Sequence, residues 1–183
     1  MSRLQLIFCV ETNKQSDTDF LYIRNMIDRF YDINGSHILL KPVYLGGKGR
    51  YSTKGNKREI DMLIRQFDGG ANESKSYVLF CFDCDRYDSD PDDKRFLESA
   101  KDYCDKNPDY RFVWFCRDAE DVFLGHQVDD KQKKTEARRF AERKLIKNVE
   151  IKNLLSDRYR VHCSNICLVL DEFLDRKRVL AES

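Results

Sequence analysis

Three acidic residues in this chain stand where strand-like segments end. LQLIFCVE closes on Glu11, and SYVLFCFDCD closes on Asp83 and Asp85. In an extended segment, residues two apart project to one side, so Asp83 and Asp85 are expected to aim at one point, with Cys84 turned away. If the two segments are neighbours in a sheet, Glu11 faces the same space. Carboxylates gathered this closely raise one another's pKa. A divalent cation relieves the conflict, and an all-oxygen donor set selects a hard ion, Mg2+ or Mn2+. Such an ion binds phosphate and activates water for phosphoryl transfer. A D-x-D pair alone is a short motif, and acidic residues after strands also cap the helices that follow. The glutamate at one strand end, the pair at another and the order of elements between them are far more specific together.

The elements that must position these residues are legible as alternating patterns. Segments 4–10, 77–82 and 110–115 are short apolar runs rich in β-formers, without strict alternation, as expected of strands covered on both faces. Segment 37–45 reads as a fourth strand. Between them, 19–31, 57–67 and 91–106 carry apolar residues at helical spacing, with Asp17 or Thr18 as N-cap of the first and Pro91 in the first turn of the third. Strand and helix alternate, and right-handed crossovers make that a parallel, doubly wound α/β sheet. The ligand site of such a sheet lies at the carboxyl ends of its strands. Beyond it the pattern changes to a short helix at 119–125, a strongly basic helix at 131–148 and a final amphipathic helix at 164–178, whose apolar face could pair two copies as a homodimer.

At 183 residues the chain suits one compact core. Its 33 basic and 32 acidic residues nearly cancel, so any attraction for a polyanion must be local. Seven cysteines, an odd number, fit a disulfide framework badly. With no apolar run of membrane length, the expectation is a reduced, cytoplasmic protein with no membrane partner. Zinc is the rival chemistry, through Cys81-Phe-Asp-Cys84 with His162, Cys163 and Cys167. Against it, residues three apart on a strand face opposite ways, and no glycine turn separates the two thiols.

The combination of Glu11 with Asp83 and Asp85 resembles the signature of TOPRIM domains, found in topoisomerases, DnaG-type primases, OLD-family nucleases and RloB-like proteins. FCVETNKQSDTDFLYI is similar to the CEG-x-x-T/S-E-x-x-Y opening of the OLD and RloB-like members, and FCFDCDRYD to their v-x-D-x-D segment. RFVWFCRDAEDVFLGH is similar to their P-x-F-E-x-W-L-x-x-H segment, which places the family's second glutamate at Glu120 and its histidine at His126. Thr12 stands where the family has glycine, and the aromatic after Glu120 is displaced to Phe123. The resemblance implies a Rossmann-like TOPRIM domain over residues 1–128, with a helical extension over 129–183 packed on it. It implies a Mg2+-dependent nuclease acting in bacterial antiphage defence. Its metal ligands would be Glu11, Asp83 and Asp85, with Glu120 as a further ligand or base. OLD-type systems also use an ATPase partner protein, and no Walker A motif occurs in this chain.

Two basic features suit a DNA or RNA partner. GGKGRYSTKGNKRE, after the second strand, gathers Lys48, Arg50, Lys54, Lys57 and Arg58 among glycines at the same sheet edge as the carboxylates. Lys48 and Arg50 are the first candidates for phosphate, and Tyr51 for base stacking. The run KQKKTEARRFAERKLIKN is a second basic surface, though a solvated charged helix is the commoner outcome. His126 reads equally as a general base, a phosphate contact or a helix-capping structural residue. The alternative to an enzyme is a non-catalytic TOPRIM-like module that binds nucleic acid or a partner protein.

Overall fold

Burial on both faces makes near-continuous apolar strands, and four of them assemble here. The computed structural model describes residues 3–33, 37–69 and 73–178. Strands β1 (Arg3–Val10), β2 (Ile38–Tyr44), β3 (Ser74–Asp83) and β4 (Tyr110–Phe115) form one all-parallel sheet in the order β2-β1-β3-β4. Along β1 and β3, alternate residues feed two cores. Leu6, Phe8, Val10, Leu79 and Cys81 face one, and Ile7, Cys9, Val78, Phe80 and Phe82 the other. The edge strand β2 tolerates Pro42, which has no amide to donate to a second neighbour.

Helices α1 (Thr18–Phe30), α4 (Ala119–Leu124), α5 (Asp130–Glu142) and α6 (Ile166–Leu170) share the first core. Helices α2 (Lys54–Asp68) and α3 (Pro91–Asp105) cover the second. The chain is thus an α/β protein with a parallel four-stranded sheet flanked by helices, as its pattern led one to expect. β1 and β3 are neighbours, with Val10 paired to Cys81. The ends of the spans 1–128 and 129–183 include residues outside those described. The described part of 129–183 supplies Phe140, Leu154, Ile166, Cys167 and Leu170 to the same core as Tyr22 and Phe123.

Three elements differ from the sequence pattern. The basic helix stops at Glu142, because Lys144 takes a left-handed backbone (φ 51°) and two 3-10 turns then carry Ile146 and Leu154 inward. The final helix is only Ile166–Leu170, where the Tyr31 hydroxyl donates to Asp171 (2.8 Å) beside the last turn. Its apolar residues Ile166, Val169 and Leu170 are buried within the same chain, so they are not free to pair two copies. Helix α2 begins earlier than 57, at Lys54, capped by the Thr53 hydroxyl, so Lys54 joins Lys57 and Arg58 as exposed helical residues rather than lying in a loop.

The outer edge of β4 is closed by the segment before α6. The Asn165 side chain accepts from the Trp114 amide and donates to the Phe112 carbonyl, each at 2.9 Å, and Ser164 donates to the Trp114 carbonyl (2.6 Å). A strand edge so covered offers no pairing template. All seven cysteines are free and buried. Cys81 and Cys84 face opposite cores, as three-residue spacing requires, which separates the thiols a zinc site would need. Among the described residues, no helix is long and apolar enough to cross a membrane.

Candidate functional site

The carboxyl ends of β1 and β3 are where the acidic residues meet. Glu11 follows the last residue of β1 and Asp83 ends β3, so the parallel pairing delivers both side chains to one edge. Glu11 Oε1 accepts from the Asp83 amide at 3.1 Å. Asp83 Oδ1 in turn accepts from the amide of Ala119, the first residue of α4 (3.1 Å). Backbone pairing continues past the strand ends: Gly47 donates to the Glu11 carbonyl (2.8 Å). Gly46 and Gly47 adopt φ of 70° and 137°, conformations that glycine takes without strain, and this turn sets Lys48 beside the site.

Asp85 does not share the direction of Asp83. Its φ is 44°, a left-handed backbone, so the two-residue alternation of a strand no longer holds. Its amide donates to the Arg117 carbonyl (2.8 Å), and its carboxylate pairs with Lys48 Nζ at 2.6 Å. Lys48 also pairs with Asp93 at 2.9 Å and lies over the Phe96 ring. Glu11 and Asp83 are therefore brought together, and Asp85 stands at the rim with a lysine.

A second set of acids acts on Asp83 from α1 and from the start of α4. Asp19, in the first turn of α1, is buried. Asp118 caps α4 by accepting from the Asp121 amide (2.8 Å). Glu120, in the first turn of α4, is 1 % exposed; Oε2 meets Lys133 Nζ at 3.2 Å, while Oε1 is buried without a hydrogen-bond partner. Lys133 also lies 3.5 Å from Asp118 Oδ2.

Electrostatics follow from that crowding. Burial pushes Glu11 from 4.5 up to about 8; the Asp83 amide and Lys48 oppose the shift, and Asp85 and Asp19 add to it. Burial raises Asp83 well above the carboxylate range, reinforced by Glu11, Asp19, Glu120 and Asp118. Asp19 and Glu120 are raised by burial too, with Lys133 pulling each back. Burial works to lower Lys133, but Glu120, Asp118 and Asp83 outweigh it and raise it.

These donors suit a hard divalent ion in kind: they are carboxylates, they repel one another, and one buried oxygen lacks a partner. Among the described residues, however, no group of three acidic, thiol or imidazole side chains stands close enough to close around one ion. Two of the carboxylates are paired with lysines instead, Asp85 with Lys48 and Glu120 with Lys133.

The remaining expected residues lie around this centre. Arg50 is exposed and folds back over Gly46. Tyr51 is not free to stack on a base: it packs edge-on against Phe82, Phe96 and Tyr103, with centroids 5.0–5.9 Å apart. His126 is exposed just past α4, with Nδ1 3.2 Å from the Leu124 carbonyl, a local helix-end contact. Sequence reasoning missed Asp19, Asp118 and Lys133. Asp118-Ala-Glu120 after β4 repeats the acid-x-acid pattern after β3 and could have pointed to Asp118. Lys133 is unmarked within a basic run. No protein-family model matches the chain, and no curated protein or solved structure matches it either.

Proposed function

We propose that this chain is a Mg2+- or Mn2+-dependent nuclease of the TOPRIM type, hydrolysing phosphodiester bonds at the cluster formed by Glu11, Asp83 and Glu120. The observation that carries the reading is the burial of Glu11, Asp83, Asp19 and Glu120 in one place, with pKa values raised. Buried carboxylates stay anionic only where a cation or several hydrogen-bond donors replace the lost hydration, and here the donors do not suffice to hold the pKa values down. A purely structural role would be met more cheaply by amides or apolar residues. Position argues the same way, since open α/β sheets bind ligands at the carboxyl ends of their strands.

In this reading Glu11 and Asp83 would hold the ion, with Asp85, now paired to Lys48, as a further carboxylate at the rim. A bound Mg2+ supplies a water of lowered pKa and a positive charge for the phosphoryl oxygens. Glu120 Oε1 accepts a proton, or serves as a further ligand. Lys48 and Arg50, at the same edge, neutralise the phosphate of a DNA or RNA strand. The acid-rich site needs such cations nearby to admit a polyanion. The resemblance to OLD-type proteins adds a role in antiphage defence and an ATPase supplied by another chain.

A second reading has its own observation. The ion pairs Lys48–Asp85 and Lys133–Glu120 satisfy part of the cluster internally, as a non-catalytic TOPRIM-like binding module would. Purified protein incubated with plasmid, single-stranded DNA and tRNA in Mg2+, Mn2+ or EDTA separates the two. A nuclease gives EDTA-sensitive cleavage that Glu11→Gln and Asp83→Asn each reduce by about a hundredfold or more, since the ion they would hold contributes several kcal/mol of charge stabilisation. Cleavage at parental rates in both variants excludes the enzyme reading. Salt-sensitive binding without turnover supports the module.

A further inference from the structure

Lys133 differs from every neighbouring lysine of α5. Lys131 and Lys134 are exposed, whereas Lys133 lies on the face that carries Ala137 and Phe140, at i+4 and i+7. Those two residues anchor the helix against α1 in the core around Tyr22. The apolar face of α5 therefore delivers one ammonium into the acidic cluster, within 3.2 Å of Glu120 and 3.5 Å of Asp118. Its charge also acts on Asp19 and Asp83. A lysine presents donors and no acceptor, so it can satisfy several carboxylates at once. Its flexible four-carbon stem also lets it withdraw, which the rigid fork of arginine does less readily. The other oxygen of Glu120 stays buried without a partner, so the ammonium does not exhaust the cluster's capacity for a cation.

We infer that Lys133 is a tethered counter-ion: its ammonium holds Glu120 and Asp118 when no divalent ion is bound, and competes with that ion for them. It is a positioning residue, acting through the carboxylates it holds. This rests on reading the cluster as a metal centre. The consequence is that Lys133 sets how tightly the cluster takes a divalent cation.

The test uses the full chain with Lys133→Met, Lys133→Arg and the pair Lys133→Met with Glu120→Gln. Mn2+ binding is measured by calorimetry, and thermal midpoints in EDTA, Mg2+ and Mn2+. Lys133→Met is expected to melt below the parent in EDTA and to regain more of that midpoint with metal. It should bind Mn2+ on the order of tenfold more tightly, since a unit charge at contact distance has been removed. Lys133→Arg keeps the charge and gains no affinity. Glu120→Gln in the methionine background removes the gain, which a merely structural lysine does not predict. If Lys133→Met fails to fold, Lys133→Gln is read the same way. A parent that binds Mn2+ with an unchanged methionine or glutamine variant overturns this inference alone. No response to divalent ions in any form overturns the metal reading and this inference with it.

Discussion

Glu11 and Asp83 carry opposite obligations, since the site needs them charged and their burial favours the proton. A carboxylic acid whose folded pKa lies above its unfolded value binds more protons in the native state between the two values. Stability then falls as pH rises through that window. Glu11 spans about 4.5 to 8, and Asp83, Asp19 and Glu120 are shifted the same way. Lys133 is raised from 10.5, so its contribution is constant over that range. In EDTA the thermal midpoint is therefore expected to drop steadily from pH 5 to pH 8. Glu11→Gln should flatten part of the drop, and a saturating divalent ion should flatten it further and release protons near pH 7. A midpoint that rises with pH over this interval in EDTA would contradict the shifts. Glu11 and Asp83 were legible because a strand end is legible. Asp85 was misread because its left-handed backbone leaves no mark in the sequence, and Asp19 and Lys133 reach the cluster only through helix packing.

At the level of elements, the strands were readable because burial on both faces enforces an apolar run, a local property. The segment 164–178 was not, because its apolar residues recur at helical spacing yet are buried partly by turns. Asn165 shows what that segment is for. Its amide replaces a neighbouring strand at the edge of β4, satisfying one backbone donor and one acceptor. Replacing it by alanine strands both groups at a partly buried edge. The expected loss is about 1–3 kcal/mol, read as a lower urea midpoint at unchanged slope. Asn165→Asp keeps the acceptor for the Trp114 amide and loses the donor, so it should fall between the two. An alanine variant as stable as the parent would mean that water serves this edge equally well.

Across the whole molecule, the division at residue 128 suggested by the motifs is not a division of the core. Phe140 packs edge-on against Tyr22 (4.9 Å between centroids) and lies 6.0 Å from Phe123, which itself stacks on Tyr22 at 5.4 Å. Leu154, Ile166, Cys167 and Leu170 fill the same layer. Cutting after residue 128 would expose that aromatic layer, uncover the edge of β4 and remove Lys133 from the acids. Phe140→Ala alone should cost about 3–5 kcal/mol, the usual range for a fully buried phenylalanine, measured by urea unfolding of the full chain. The fragment 1–128 should lack a cooperative thermal transition and the near-ultraviolet dichroism of Trp114, and should bind a hydrophobic dye. Added back in trans, 129–183 should restore none of this at micromolar concentration unless it binds tightly enough to offset its own ordering entropy. A fragment 1–128 that melts cooperatively with native dichroism would show that the sheet and α1 stand alone. The C-terminal elements would then be an addition to a finished domain rather than part of its first core.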